Sequence, residues 1–262
     1  MSKDPIRSIT SITPQVIRDW SEPRPILALT AYDYPVARLL DECGVDILHV
    51  GDSLGMVVMG YQDTVDVTMD QMCHHTEAVA RAAESALVTA DLSYASYKDA
   101  EQAVKNARRL RDAGAQAVKM EGGEGISLQI EAVLAEGIPV QGHLGMLPQS
   151  IRQEGRYNRK GRSAEEIEKL KRDALHLQKL GVFSLVLEAV VHQVAGQMTR
   201  LLDIPTIGIG SGLETTGQIQ VIHDVMGLYP WFVPPFAQQK ANLAELFRQA
   251  ISKLKVDLDS SA

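Results

Sequence analysis

Ionisable side chains recur at the ends of short apolar runs in this sequence, and their types suggest metal-assisted chemistry. Asp52, Asp91 and Glu121 each follow or close such a run. Carboxylate oxygens are hard ligands, and without a neighbouring Cys they favour Mg²⁺, or Mn²⁺ and similar ions, over zinc. His143 is the one nitrogen candidate of this set. A cation held by these groups would stabilise negative charge developing on a carbonyl oxygen.

Two more side chains complete the predicted site. Lys119 stands two residues before Glu121, so on a strand both would point to the same side, where the ammonium could pair with a substrate carboxylate. Glu188 closes the apolar run 185–187, which would desolvate a carboxylate and suit it to general-base work. Together the residues predict removal of a proton next to a carbonyl group, with a metal stabilising the enolate.

Each acid also has a structural interpretation, since an aspartate after a strand is commonly a helix cap or a turn residue. Caps explain one position more easily than five consecutive strands that all end in ionisable groups. In a parallel barrel the carboxyl ends of the strands converge on one face, where barrel enzymes hold their chemistry. We therefore interpret these side chains as one site.

The elements that must position them alternate along the chain as short apolar runs and amphipathic segments. Gly44, Gly114, Gly137 and Gly181 each follow a predicted helix, where a left-handed C-terminal residue favours glycine. The predicted strands are 26–30, 46–50, 86–90, 115–120, 138–142, 183–187, 206–209 and 231–233. The predicted helices are 34–43, 69–82, 98–113, 126–136, 163–180, 191–202, 216–226 and 240–254.

Eight strand–helix units with continuous hydrophobic strands predict an α/β fold, a (β/α)₈ TIM barrel. A doubly wound sheet is the alternative, but the segment after the first strand lacks its glycine-rich nucleotide loop. A short helix at 13–20 would cap the bottom of the barrel. No composition shift marks a second domain, so we predict a single domain over residues 1–262.

Composition limits the function classes. Hydrophobic residues make up 45% of the 262 residues, enough for a full core, and the net charge of −7 argues against nucleic acid as a partner. The basic segment 152–162 is an exception, which we interpret as a solvated loop, although it could attract a polyanionic tail such as a polyglutamate. Cys43 and Cys73 show no metal or redox spacing, and neither a signal sequence nor a membrane span is expected, so we expect a cytoplasmic protein.

At these residues the sequence resembles the ketopantoate hydroxymethyltransferase family of pantothenate biosynthesis. The resemblance runs from Thr30 to about Pro234, and several motifs occur in order. They are VGDSLGM at 50–56, KMEGG at 119–123, GHLG at 142–145, PQS at 148–150 and IGIG at 207–210.

The resemblance implies a barrel of the phosphoenolpyruvate/pyruvate superfamily, a homodecamer and one Mg²⁺ per subunit. It implies transfer of a hydroxymethyl group from 5,10-methylenetetrahydrofolate to 3-methyl-2-oxobutanoate, giving 2-dehydropantoate. By position, Asp52 and Asp91 would bind the metal, and Glu121 would join them through water. Glu188 would remove the C3 proton. The keto acid would be bound by Ser53 and Lys119 alongside Asp52 and Asp91, with His143 beside it.

The chain departs from the family pattern at 92–94, 156–160, 216 and 235, in loops that could shape the pocket for the second substrate. A related metal-dependent lyase or mutase acting on another 2-oxo acid is therefore one alternative. A non-catalytic barrel that binds a ligand is the other.

Overall fold

The computed structural model describes residues 11–261, and these form a closed barrel of parallel strands in sequence order. The expected fold class is thus confirmed. The strands are β1 Ile26–Thr30, β2 Ile47–Val50, β3 Leu87–Asp91, β4 Ala117–Glu121, β5 Val140–Gly145, β6 Ser184–Glu188, β7 Thr206–Ile209 and β8 Gly217–Gln220.

Helices follow most strands. They are α1 Pro14–Arg18, α2 Tyr34–Glu42, α3 Leu54–Val57, α4 Met69–Ala82, α5 Ala100–Asp112, α6 Ser127–Ala135, α7 Ile151–Glu154, α8 Ala164–Leu180, α9 His192–Leu201, α10 Ile222–Met226 and α11 Leu243–Asp259. Two 3₁₀ turns lie at Glu124–Ile126 and Pro148–Ser150. The four glycines predicted to end helices all have positive φ, at +76°, +103°, +72° and +104°.

Strand register brings the ionisable residues beside one another. Strands β3 and β4 are buried along their whole length, as expected for a parallel sheet covered on both faces. Asp91 pairs in register with Lys119, and Glu121 pairs with His143 on β5. The carboxyl ends of three neighbouring strands therefore meet at one rim of the barrel.

The opposite end of the barrel is closed by apolar residues. Ile26, Ile47, Leu87 and Ala117, each the first residue of its strand, form one core cluster together with Ile17 of α1. Thr13 caps this helix by accepting a hydrogen bond from Val16 N at 3.2 Å. The helix expected at 13–20 therefore exists over 14–18 and packs against the bottom of the barrel.

The last strand was predicted in the wrong place. Residues 231–233 are not a strand, because the flanking Pro230 and Pro234 lack the N–H groups that a ladder needs. The strand instead occupies 217–220, where the sequence predicted the first turn of a helix. Gly217 packs so closely on β1 that a Cβ atom would lie 2.6 Å from Ile26 Cβ. Gln218 and Gln220 break the apolar pattern that identifies the other strands.

The chain divides into two compact units. Residues 11–219 hold β1 to β7 and all but the last residue of β8, and residues 220–261 hold α10 and α11. The single-domain organisation of residues 1–262 stays a prediction. Residues 1–10, where we expect no signal sequence, lie outside the described part. In the part described, no helix is both long and apolar enough to cross a membrane.

Candidate active site

Lys119 lies at the centre of a buried cluster at the carboxyl ends of β3, β4 and β5. Its Nζ is 2.8 Å from Asp91 Oδ1, 3.7 Å from Glu121 Oε1 and 3.2 Å from His143 Nδ1. All four side chains are at most 6% exposed. Alternate residues of a strand face the same side, so Lys119 and Glu121 both point into the barrel mouth as predicted.

His143 connects this cluster to Glu188. Its Nδ1 is 3.3 Å from Glu121 Oε1, and its Nε2 is 3.3 Å from Glu188 Oε2. The Glu188 side chain is 12% exposed, more open than its neighbours, which leaves it within reach of a bound molecule. Gly145 makes this approach of β5 to β6 possible, since a Cβ at its φ of +103° would collide with the Glu188 carbonyl oxygen.

Asp52 joins the cluster from the segment after β2. Its backbone N–H donates to Asp91 Oδ2 at 3.0 Å, and its own Oδ2 accepts from Gln149 Nε2 at 2.9 Å. Asp33, by contrast, is an ordinary cap that accepts from Val36 N at 2.9 Å. The cap interpretation therefore fits Asp33 but not Asp52, whose carboxyl group is held by a distant loop.

Ser53 lies beside this group, with its Oγ 2.8 Å from Tyr32 OH. The structure thus brings together all seven residues that the sequence singled out. They are Asp52, Ser53, Asp91, Lys119, Glu121, His143 and Glu188. Their individual roles stay predictions.

Electrostatics separate the two aspartates. Burial, followed by the charges of Asp91 and Glu121, raises the pKa of Asp52 well above its ordinary range. Burial acts in the same direction on Asp91, but Lys119 and His49 outweigh it and hold the pKa of Asp91 well below its usual range. Burial lowers the pKa of Lys119, whereas the three neighbouring carboxylates raise it more strongly, so the ammonium stays charged.

The donor set fits a divalent cation. The cluster holds the carboxyl groups of Asp52, Asp91, Glu121 and Glu188 against the ammonium of Lys119, so negative charge is in excess. Glu121 Oε1 is buried and has no hydrogen-bond partner among residues 11–261. Its nearest polar neighbours are His143 Nδ1 at 3.3 Å and Lys119 Nζ at 3.7 Å, so it lies close to positive charge without a hydrogen bond and can still accept one from a ligand.

In the described chain, no three His, Cys, Asp or Glu side chains form a group that could hold a metal by themselves. The arrangement is therefore not a closed protein cage like a structural zinc site. Mg²⁺ usually takes one or two carboxylates and completes its shell with water and substrate. The carboxyl groups of Asp52, Asp91 and Glu121 suit that mode of binding.

Several contacts in the site come from residues that sequence reasoning missed. His49, on β2, has Nε2 at 3.4 Å from Asp91 Oδ2 and Nδ1 at 2.8 Å from Thr89 Oγ1. His49 could have been found from the sequence, because it is an ionisable residue inside the otherwise apolar run 47–50. Gln149 and Tyr97 reach the site from segments outside the strands. Gln149 belongs to the PQS motif of the resemblance, but no sequence pattern placed either residue in the site.

The basic segment 152–162 contributes in a way its charge did not suggest. Arg152 is paired with Asp63 at 2.7 Å and with Asp66 at 2.6 Å, and Lys160 with Glu154 at 2.6 Å. Tyr157 OH instead donates to Glu188 Oε1 at 2.8 Å. The segment therefore reaches the proposed base, and at least two of its cations are already neutralised.

Comparison with known proteins identifies the relatives of this chain. The family model described as ketopantoate hydroxymethyltransferase matches residues 11–262. The chain belongs to this family. A 3-methyl-2-oxobutanoate hydroxymethyltransferase from Acetivibrio thermocellus is 50% identical over 230 residues, covering 87% of this chain and 81% of that protein. The enzyme of that name from Pyrococcus furiosus is 49% identical over 248 residues, covering 94% and 87%.

Solved structures of other proteins share the fold of this family member. A phosphonopyruvate hydrolase complex with oxalate and Mg²⁺ has a TM-score of 0.64 at 13% identity, covering 95% of this chain and 88% of that one. The phosphoenolpyruvate phosphomutase from Streptomyces platensis subsp. rosaceus has a TM-score of 0.62 at 16% identity, covering 94% and 86%. At these identities the likeness concerns the fold.

Proposed function

We propose that this chain is a Mg²⁺-dependent 3-methyl-2-oxobutanoate hydroxymethyltransferase. It would transfer the one-carbon unit of 5,10-methylenetetrahydrofolate to the keto acid and release 2-dehydropantoate for pantothenate biosynthesis. The observation that carries this proposal is the contact of His143 with both Glu121 and Glu188, at 3.3 Å each. A candidate base and candidate cation ligands thereby belong to one buried cluster.

Each side chain has a role that its surroundings suit. Lys119 remains charged and would bind the keto acid carboxylate together with Ser53. Glu188, the more exposed carboxylate, would take the proton from C3. Tyr157 and His143 each contact one of its oxygens and would fix the orientation of the carboxylate.

Asp52 and Asp91 would hold the cation, with Glu121 bound to it through water. When bound, Mg²⁺ supplies positive charge beside the carbonyl oxygen and so favours the enolate. The enolate carbon would then form a C–C bond to the one-carbon unit. Both C–N bonds of that unit to the folate would break, one water would supply the hydroxyl oxygen, and tetrahydrofolate would leave. Removal of the proton by a positioned base contributes about 10²–10⁴-fold to rates of this kind.

The cellular setting is also a proposal. The paired cations of the basic segment and the net charge of −7 favour small-molecule substrates over nucleic acid. We propose a homodecamer in the cytoplasm, without membrane association, on the strength of the family.

Proton exchange tests the first half of the reaction. The purified protein is incubated with 3-methyl-2-oxobutanoate in D₂O, and loss of the C3 proton signal is followed by NMR with Mg²⁺ and with a chelator. We expect exchange that depends on Mg²⁺ and needs no folate. Adding 5,10-methylenetetrahydrofolate should then yield 2-dehydropantoate.

The outcomes separate the alternatives. Exchange without product on adding the folate would point to a different electrophile, as in a related lyase or mutase. Exchange of another 2-oxo acid but not of 3-methyl-2-oxobutanoate would replace the proposed substrate. No exchange of any 2-oxo acid, with a ligand still bound, would favour the non-catalytic barrel.

A further inference from the structure

Gln149 bridges two of the acids from outside the strands that carry them. It lies in the 3₁₀ turn after β5 and is 5% exposed. Its Nε2 donates to Asp52 Oδ2 at 2.9 Å, and its backbone N–H donates to Glu121 Oε2 at 3.1 Å. One residue thereby binds carboxylates that are 69 positions apart in the sequence.

The orientation of the Gln149 side-chain amide is fixed by its other partners. Nε2 also donates to the Leu92 carbonyl oxygen at 2.8 Å, and a carbonyl can only accept. Oε1 accepts from Tyr97 OH at 2.6 Å. With both N–H bonds and the oxygen engaged, the amide has no alternative placement in which its groups remain satisfied.

Gln149 donates a hydrogen bond to only one of the two carboxylate oxygens of each acid. The backbone N–H of Gln149 donates to Glu121 Oε2, whereas Glu121 Oε1 has no hydrogen-bond partner among the described residues. In Asp52 the side-chain amide takes Oδ2. An amide donates without adding positive charge, so the acids are oriented while their negative charge is kept for a cation. A Lys or Arg in the same place would compete with the metal.

We propose that Gln149 is a positioning residue for the divalent-cation site, with Tyr97 holding its side chain in place. It sets the rotation of the Asp52 and Glu121 carboxylates so that one oxygen of each is available to the cation or its water. This role rests on the proposed function for the identity of the cation and for the reaction that it assists.

The test measures Mn²⁺ affinity by electron paramagnetic resonance in wild-type protein, Gln149→Met and a matched control. Met keeps the length of the side chain but cannot donate or accept as the amide does. Groups that orient metal ligands typically contribute about 10–100-fold to metal affinity, and we expect a loss in this range. Gln141→Met is the control, because Gln141 is equally buried but donates to Ser184 Oγ rather than to a carboxylate.

Two further measurements distinguish positioning from general damage. The C3 exchange rate of Gln149→Met should recover as Mn²⁺ is raised to saturation, which a misfolded site would not do. Tyr97→Phe removes the hydroxyl that donates to Gln149 Oε1 at 2.6 Å and lies 3.3 Å from the Glu121 carbonyl oxygen, and it leaves every Gln149 donor bond in place. It should therefore weaken Mn²⁺ binding in the same direction by a smaller factor. This second variant tests the assignment even if Gln149→Met does not fold.

Unchanged Mn²⁺ affinity in Gln149→Met, or in Tyr97→Phe if that is the variant that folds, would overturn the assignment. So would an equal loss of affinity in Gln141→Met. In both cases the proposed function would stand, because wild-type protein binds metal and exchanges the proton. Absence of Mn²⁺ binding by the wild-type protein would instead overturn the proposed function, and the assignment of Gln149 with it.

Discussion

The two ends of the barrel differ in how completely the protein hydrogen-bonds a buried carboxylate. At the amino end, Asp46 has a side chain that is 0% exposed and accepts from Arg24 Nη1 and Nη2 at 2.6 and 2.7 Å and from Leu27 N at 2.9 Å. At the carboxyl end, Glu121 is equally enclosed, but its Oε1 has no hydrogen-bond partner within residues 11–261. One acid is saturated by the protein, and the other is left incomplete.

This difference distinguishes carboxylates that stabilise the fold from carboxylates that are available to bind a ligand. A buried carboxylate with a full set of donors holds the structure together, and the apolar cluster around α1 surrounds the saturated end. Carboxylates crowded around Lys119 repel one another, and the raised pKa of Asp52 reflects burial and that repulsion. Such an arrangement costs stability, which is typical of a site that awaits a ligand.

The largest expected effect comes from removing the proposed base. Glu188→Gln keeps the shape of the side chain but cannot accept a proton, so the Mg²⁺-dependent C3 exchange rate should fall by about 10²–10⁴-fold. NMR in D₂O measures the rate, and Mn²⁺ affinity should change little. Glu136→Gln is the control, because that carboxylate pairs with Arg108 on the surface. Exchange that persists in Glu188→Gln would reassign the base.

Neutralising an acid at the carboxyl end should weaken metal binding and strengthen the fold. Asp52→Asn removes charge from a crowded, buried group while its amide oxygen can still accept from Gln149. We expect Mn²⁺ affinity to fall by at least about 100-fold, the upper end of the effect of orienting groups. The free energy of unfolding without metal should rise, because the substitution relieves the repulsion from Asp91 and Glu121. A destabilised variant with intact metal binding would contradict the comparison.

The same substitution at the amino end should do the reverse. Asp46→Asn turns an acceptor toward Arg24 into a donor and breaks a saturated ion pair. We expect the free energy of unfolding to fall by about 1–3 kcal/mol, as for other buried polar groups that lose a partner. Denaturant titration measures this change. Mn²⁺ affinity should equal that of the wild type, and a loss comparable with that of Asp52→Asn would mean that the two ends are not independent.

A third acid isolates the effect of burial, and its substitution should change only the pH dependence of stability. Desolvation raises the pKa of Asp224 on α10 from 3.8 to about 6. Because the folded form then binds a proton more tightly than the unfolded form, this group makes the free energy of unfolding fall as pH rises from about 4 to about 6. Asp224→Asn should flatten that part of the pH profile in thermal denaturation. An unchanged profile would assign the dependence to other groups.

Sequence reasoning located the residues that stand at strand ends and missed those that reach the site from elsewhere. Asp91, Lys119 and Glu121 follow buried apolar runs, and a parallel barrel must bring such positions to one rim. Gln149, Tyr97 and Tyr157 lie in loops whose paths depend on tertiary packing.

The same limit explains the error in the fold. Strands with continuous apolar runs, such as β3 and β4, were found within two residues of their observed bounds. Strand β8 carries Gln218 and Gln220 and is held in the sheet by close packing of Gly217 on β1, which no local pattern shows. The hydrophobic pattern of the sequence therefore predicts strands that are buried along their whole length, but not a strand that depends on the close packing of one glycine.

The most direct test of the carboxyl-end cluster is a crystal structure with Mn²⁺ and 3-methyl-2-oxobutanoate, read by anomalous scattering. We predict one Mn²⁺ peak per chain, at about 2.0–2.3 Å from a carboxylate oxygen of Asp52 and of Asp91. The keto acid should lie between this ion and Glu188. An ion bound elsewhere, or a keto acid seated there with no metal peak, would contradict the account.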